Sequence, residues 1–186
     1  FLKVRIDSWR DRDQMGIVRS NVKQAGSWHS PTTMNQLPEF ELFYRRVVDH
    51  VEQVYNDQRY DPQYQPLCHN MWANINPVGG YNRGHTHPGS LWSGVYYVQT
   101  PKNCGRIYFN DPRSQAHVIL PAKDKGEQSS EHWPEVFYEA IAGRLILFPS
   151  WLRHEVEPNM TNLKGDSADR ISISFNFGQV NRATSS

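Results

Sequence analysis

His85 and His87 stand two residues apart in Asn82-Arg83-Gly84-His85-Thr86-His87-Pro88-Gly89-Ser90, just ahead of the strand-forming run Leu91 to Gln99. Side chains alternate along an extended backbone, so both imidazoles point to one face. Imidazole is the commonest metal ligand in proteins, and two of them at a strand end suit a cation. A chain with eight histidines can also leave two in a solvated loop by chance. Residues far downstream favour the metal. Leu145 to Phe148 reads as a buried strand stopped by Pro149, after which a turn delivers His154 to the start of the next strand. His85, His87 and His154 can then take three facial positions around an octahedral metal and leave the others for substrate and water. On the last long strand Arg170, Ser172, Ser174 and Asn176 share one face, and Ile171, Ile173, Phe175 and Phe177 share the other. An arginine fork beside a serine hydroxyl on the polar face is what a carboxylate ligand needs.

The elements that must position these residues follow from periodicity. Pro38 to Asn56 is the clearest helix: Phe40, Phe43, Tyr44, Val47, Val48, Val51, Val54 and Tyr55 form one apolar stripe at three- and four-residue steps. Pro38 suits the first turn, and Glu39 and Glu41 suit the positive end of the helix dipole. Before it, Phe1 to Ile6 alternates like a short strand, Asp7 to Val18 reads as a surface helix, and Gly26 to Thr33 as a loop whose Trp28 and His29 are candidate binding residues, with packing of Trp28 over the core the favoured role. Asp57 to Pro66 reads as a connector. From residue 68 short apolar runs recur at hairpin-like intervals. Strands are expected at Asn70–Asn76, Leu91–Gln99, Arg106–Asn110, Val118–Leu120, Val136–Ile141, Arg144–Phe148, Arg153–Glu157 and Arg170–Phe177, with a polar loop over Lys123–Glu131 and a polar insertion at Pro158–Asp169. About eight short strands with turns between them argue for a mainly β jelly roll, residues 68–178, supported by N-terminal helices in residues 1–67, all in one domain.

Composition narrows the function classes. Apolar content of 38%, charged content of 21% and a net charge of +1 fit a soluble globular chain, with no basic cluster for nucleic acid and no apolar run long enough for a membrane helix. Cys68 and Cys104 lack the C-x-x-C spacing of zinc or redox motifs and favour a reducing, cytoplasmic setting. Nothing in the chain reads out an oligomeric state, a homodimer included.

The order His85-Thr86-His87, then His154, then Arg170-Ile171-Ser172 resembles the iron(II)- and 2-oxoglutarate-dependent oxygenases. More narrowly, the chain resembles a bacterial and phage subfamily of them. The segments are Arg19-Ser20-Asn21, Trp28-His29-Ser30, His87-Pro88 with Ser93-Gly94-Val95-Tyr96-Tyr97, Asp111-Pro112-Arg113, Leu147-Phe148-Pro149-Ser150-Trp151 with His154, and Arg170 to Asn176. The resemblance implies a double-stranded β-helix (cupin-like jelly roll) with Fe(II) on the histidines. It also implies 2-oxoglutarate as co-substrate, with its distal carboxylate on Arg170 and Ser172, and hydroxylation of an amino-acid side chain, free or in a peptide, or of a small metabolite. Tyr97 and Asn74 are further candidates for hydrogen bonds to the co-substrate, with core packing the competing role for Tyr97; turn chemistry accounts for Asn82. One departure matters: the family's second ligand is a carboxylate, and His87 stands in its place. Glu155 or Asp111 can supply the missing carboxylate instead, or His87 can leave an open position. Two other classes stay open, a three-histidine cupin-type dioxygenase that does not use 2-oxoglutarate, and a jelly-roll module without catalysis. Substrate specificity is expected in Ser27–Met34, Lys123–Trp133 and Pro158–Asp169.

Overall fold

The strict alternation of the final strand places it at the centre of the molecule. In the computed structural model, which describes residues 1–20, 22–113, 115, 118, 122, 126 and 133–184, β1 (Trp28–His29), β2 (Tyr64–Asn76), β4 (Trp92–Gln99), β7 (Leu145–Pro149) and β9 (Arg170–Asn181) form a five-stranded antiparallel sheet in the order β1-β2-β9-β4-β7. A second antiparallel sheet, in the order β3-β8-β5-β6, faces it. Its strands are β3 (Asn82–His85), β5 (Arg106–Asn110), β6 (Glu135–Glu139) and β8 (His154–Val156). Two facing antiparallel sheets with helices on one outer surface make the expected jelly roll. Among the described residues no helix is long and apolar enough to cross a membrane.

The main apolar core lies outside the sandwich, between the larger sheet and the helices. Helix α3 (Glu41–Asp57), entered through a 3₁₀ turn at Pro38–Phe40, buries Val47, Val51 and Tyr55 against Met71, Ala73 and Ile75 of β2 and Ile171, Ile173, Phe175 and Phe177 of β9. Burying each large apolar side chain contributes about 1.5–3 kcal/mol. Tyr55 also donates its hydroxyl to Gly178 O at 2.7 Å, which locks the helix onto the strand. The space between the two sheets holds a smaller apolar cluster of Val95, Tyr97, Ile107, Phe109 and Phe148. Much of the remaining cavity lining is polar, including Asn74, Asn82, Arg170, Ser172 and Ser174, and that division gives the chain a cavity at little cost to the core.

The N-terminal segment departs from its reading. Phe1–Ile6 is no strand: Leu2–Arg12 forms a helix, α1, and Gly16–Arg19 a second, short one, α2. Leu2, Ile6 and Trp9 pack on the core while Val4 stays exposed, so the apolar period is helical; six residues were too few to separate it from an alternation of two. Trp28 does pack into the core as expected, and it donates its indole N–H to Asp13 O. Its segment is more than a loop, because Trp28 and His29 pair with Ile75 and Asn74 as an edge strand. Strand β2 begins at Tyr64, inside the expected connector, because Tyr64 to Cys68 pair with Asn181 to Phe177 of β9. Ile119, Leu120 and almost all of Lys123–Glu131 lie outside the described residues.

Candidate metal centre

Register across the larger sheet aligns the polar residues in rows. Asn74, Ser172 and Tyr97 lie side by side on β2, β9 and β4, followed by Trp72, Ser174 and Val95, and then by Asn70, Asn176 and Ser93. Asn76 and Arg170 form the row at the opposite end. From the smaller sheet, His85 of β3 pairs with His154 of β8, which pairs with Phe109 of β5. His87, just past β3, is held by its backbone N–H donating to Ser150 O at 2.9 Å. Trp72, Asn74, Tyr97, Arg170 and Ser172 line one side of a single cavity, and His85, His87 and His154 line the other.

The three histidines each offer one ligand atom, and these atoms all lie within 4.8 Å of one another. Ring centroids are 4.9 Å apart for His85–His87, 4.4 Å for His85–His154 and 5.1 Å for His87–His154. Two of the rings are fixed by their rear nitrogens: His85 Nδ1 donates to Arg83 O at 2.6 Å and His154 Nδ1 to Leu152 O at 2.9 Å. A carbonyl can only accept, so each Nδ1 carries the proton and each Nε2 keeps a free lone pair, the usual way a metal-binding imidazole is oriented. His87 lacks such a carbonyl; Asn176 Nδ2 stands 3.5 Å from its Nδ1. Burial, helped by the neighbouring imidazoles, lowers the pKa of His87 and of His154 to about 4. Both rings are therefore neutral at physiological pH and need lose no proton to take a cation.

This sets a pH dependence for the metal-free protein. Unfolded histidine titrates near 6.5, so between about pH 4 and 6.5 the unfolded chain binds more protons than the folded one. The stability these rings contribute is complete above that window and is lost as pH falls through it. Thermal unfolding of chelator-treated protein is expected to show a falling Tm from pH 6.5 to 4, and a His87→Asn, His154→Asn double variant a flatter profile. Equal slopes in the two proteins contradict this.

Arg170 is only 1% exposed. Its Nη1 donates to Cys104 O and to Glu157 O at 2.9 Å, and its Nη2 donates to Gly80 O at 3.4 Å. Gly105 permits this cradle: a Cβ there would sit 2.8 Å from Arg170 Nη1 and 2.5 Å from Glu157 O, and its φ of +92° favours glycine. A guanidinium has five N–H groups. Those on Nη1 and one on Nη2 are used, which leaves Nε–H and the second Nη2–H, one edge of the fork, without a protein partner among the described residues. Tyr97 completes the set: its hydroxyl is buried with no hydrogen-bond partner among the described residues, and burial pushes its pKa up to about 12, so it remains a proton donor. Asn74 donates its amide to Ser174 Oγ at 3.2 Å.

The carboxylates considered as replacement ligands are elsewhere. Glu155 is paired with Tyr108 on the opposite face of β8 from His154, and Asp111 accepts from the backbone and guanidinium of Arg113. Among the described residues the group able to hold a metal is His85, His87 and His154. Asn82 is not a turn residue; it opens β3 and lines the cavity, as does Trp72. Strand β3 is four residues long, too short to announce itself, and an odd step of three from His85 would put Asn82 on the opposite face; the irregular register between Asn82 and His85 brings both to the cavity. Pro158–Asp169 contributes no residue to the cavity; Asn159, fully buried, stitches it to Asn76 O and Ala168 O.

A family model described as "Putative 2OG-Fe(II) oxygenase" matches residues 70–176. No curated protein matches the chain by sequence. Among solved structures, the viral collagen prolyl hydroxylase of Paramecium bursaria Chlorella virus-1, in complex with 2OG, is 11% identical. Its TM-score is 0.54, over 94% of this chain and 87% of that one. A prolyl-4-hydroxylase from Pseudomonas putida is 17% identical, with a TM-score of 0.52 over 86% of this chain and 75% of that one. An oxidoreductase of the 2OG-Fe(II) oxygenase family from Burkholderia pseudomallei is 14% identical with a TM-score of 0.50 over 69% of this chain, which spans about half (51%) of that one. At such identities the likeness is one of fold.

Proposed function

The chain belongs to the 2OG-Fe(II) oxygenase family, and on that premise we propose that it hydroxylates an amino-acid side chain, free or in a peptide, or a small metabolite, with His85, His87 and His154 as the iron ligands. The observation that carries this reading is the convergence of three ligand atoms within 4.8 Å in the cavity that Arg170 also lines. When bound, Fe(II) and 2-oxoglutarate supply the oxidising chemistry, in which dioxygen is consumed, the co-substrate leaves as succinate and carbon dioxide, and one oxygen atom enters a C–H bond.

The residues present fit that co-substrate. The free edge of the Arg170 fork suits a carboxylate held by two parallel bonds, and the orphaned Tyr97 hydroxyl can donate a third. Ser172 lies between Asn74 and Tyr97 in its row and adds a hydroxyl on the same face. The chain's own work is to bind and orient: the carbonyl cradle fixes Arg170, the backbone carbonyls fix His85 and His154, and Phe109, Phe148 and Val95 keep bulk water from the interior. Three neutral imidazoles leave the full double charge on the cation, which favours a dianionic co-substrate.

Succinate release from 2-oxoglutarate with Fe(II) and dioxygen tests the reading. Production that depends on all three components supports it. Fe(II) binding without any 2-oxoglutarate consumption supports the three-histidine alternative, in which Arg170 anchors a substrate carboxylate. A His87→Asp variant is expected to keep an iron site, since a carboxylate then replaces the third imidazole, and to shift preference toward Mn(II) relative to Cu(II) because oxygen replaces nitrogen. Competition titrations with the two ions read this directly; an unchanged preference counts against His87 as a ligand.

A further inference from the structure

His29 sits on the inward face of the larger sheet, because its strand partner is Asn74. Its ring stacks on Trp72 with centroids 5.5 Å apart and planes 12° from parallel. Trp72 in turn lines the cavity, 6.2 Å from the ring of His87. The imidazole is held with more care than packing demands. Its Nδ1 donates to Ser30 O at 2.6 Å, and its own carbonyl accepts from Arg19 Nε at 3.1 Å. Arg19 is ion-paired to Asp13. Ser30 is itself fully buried and clamped to Ala73 by Ser30 N to Ala73 O and Ala73 N to Ser30 Oγ, each 3.0 Å. With Nδ1 fixed as the donor, the neutral ring presents Nε2 as an acceptor only, and no described residue donates to it. Burial lowers the pKa of His29, which favours the neutral ring. His29 stands outside the group able to hold a metal.

A half-buried acceptor, oriented through two layers of hydrogen bonds and left unused beside the cavity, is a recognition element. We propose that His29 is a substrate-contact residue: Nε2 accepts a hydrogen bond from an N–H or O–H group of the substrate, whose apolar part rests against Trp72. The substrate class is therefore a donor-bearing molecule, an amide, alcohol or amine. This rests on the oxygenase reading above and assigns the substrate side of the same cavity.

The probes are the free amino acids and their N-acetyl amides, screened for stimulation of succinate release by wild-type protein with Fe(II), 2-oxoglutarate and dioxygen. The best probe is then titrated against two variants. His29→Phe keeps a ring to stack on Trp72 and deletes the acceptor; His29→Gln offers a carbonyl in its place. His29→Phe is expected to raise the KM of the probe about five- to tenfold, the worth of one neutral hydrogen bond, with the Kd of 2-oxoglutarate unchanged, and His29→Gln to recover part of the loss. An unchanged probe KM in His29→Phe overturns the proposal, and so does a panel in which nothing stimulates although 2-oxoglutarate binds. A wild-type protein that binds no 2-oxoglutarate overturns the oxygenase reading itself.

Discussion

His154→Ala is expected to weaken Fe(II) binding by more than about 100-fold, since even residues that merely orient a ligand are worth 10–100-fold. His154 is 4% exposed and its ring is fixed by Leu152 O, so the fold itself holds this ligand atom in place. The ring also packs 4.6 Å from Phe148 and 6.0 Å from Phe109, and truncation leaves a small cavity there costing about 1–3 kcal/mol. Circular dichroism of the metal-free variant separates the two effects: a folded protein that fails to bind iron is the expected result. A folded variant that binds iron as the wild type does removes His154 from the ligand set.

Arg170→Met is expected to reduce affinity for 2-oxoglutarate by at least about 100-fold, because two charge-assisted hydrogen bonds are lost at about 1.5–3 kcal/mol each. The same change strips Cys104 O and Glu157 O of this donor and leaves Gly80 O to the backbone N–H of Asn159 alone, so it also destabilises the fold by several kcal/mol at about 1–3 kcal/mol per buried acceptor. Tyr97→Phe is the cleaner companion. It removes a hydroxyl that has no partner among the described residues, and so is expected to leave metal-free stability unchanged or slightly raised while lowering 2-oxoglutarate affinity about five- to tenfold. Opposite signs for stability and affinity are hard to obtain from a residue that only packs. A Tyr97→Phe protein that is less stable and binds 2-oxoglutarate normally assigns Tyr97 to the core alone.

Which parts of this arrangement were legible in the sequence follows from what periodicity can carry. The two faces of β9 were plain from Arg170 to Phe177, because one buries four large apolar groups against α3 and the other carries none. Tyr97 shares parity with His87 in the sequence, whereas Asn74 stood out only as a polar residue near the site in chain order; the register sets both beside Ser172. Helix α3 was equally clear from its long stripe, whereas α1 was misread from six residues that satisfy either period. Strand β1 escaped notice because two residues have no period at all, and with it went the position of His29. Least legible was the seat of Arg170: its three carbonyl partners come from residues 80, 104 and 157. Backbone acceptors leave no signature in side-chain types, and Gly105 was the only sequence mark of that close approach. Strand and turn signals already grouped His154 with His85 and His87, and the resemblance to a family added the iron and the co-substrate; the ring distances then show the three side chains meeting.

The most direct measurement is X-ray absorption at the iron edge of the Fe(II)-loaded protein, compared with His87→Ala. Three imidazole scatterers in the wild type, falling to two in the variant, are the predicted result. A wild-type shell with two imidazoles and a carboxylate, unaltered by His87→Ala, contradicts the three-histidine centre.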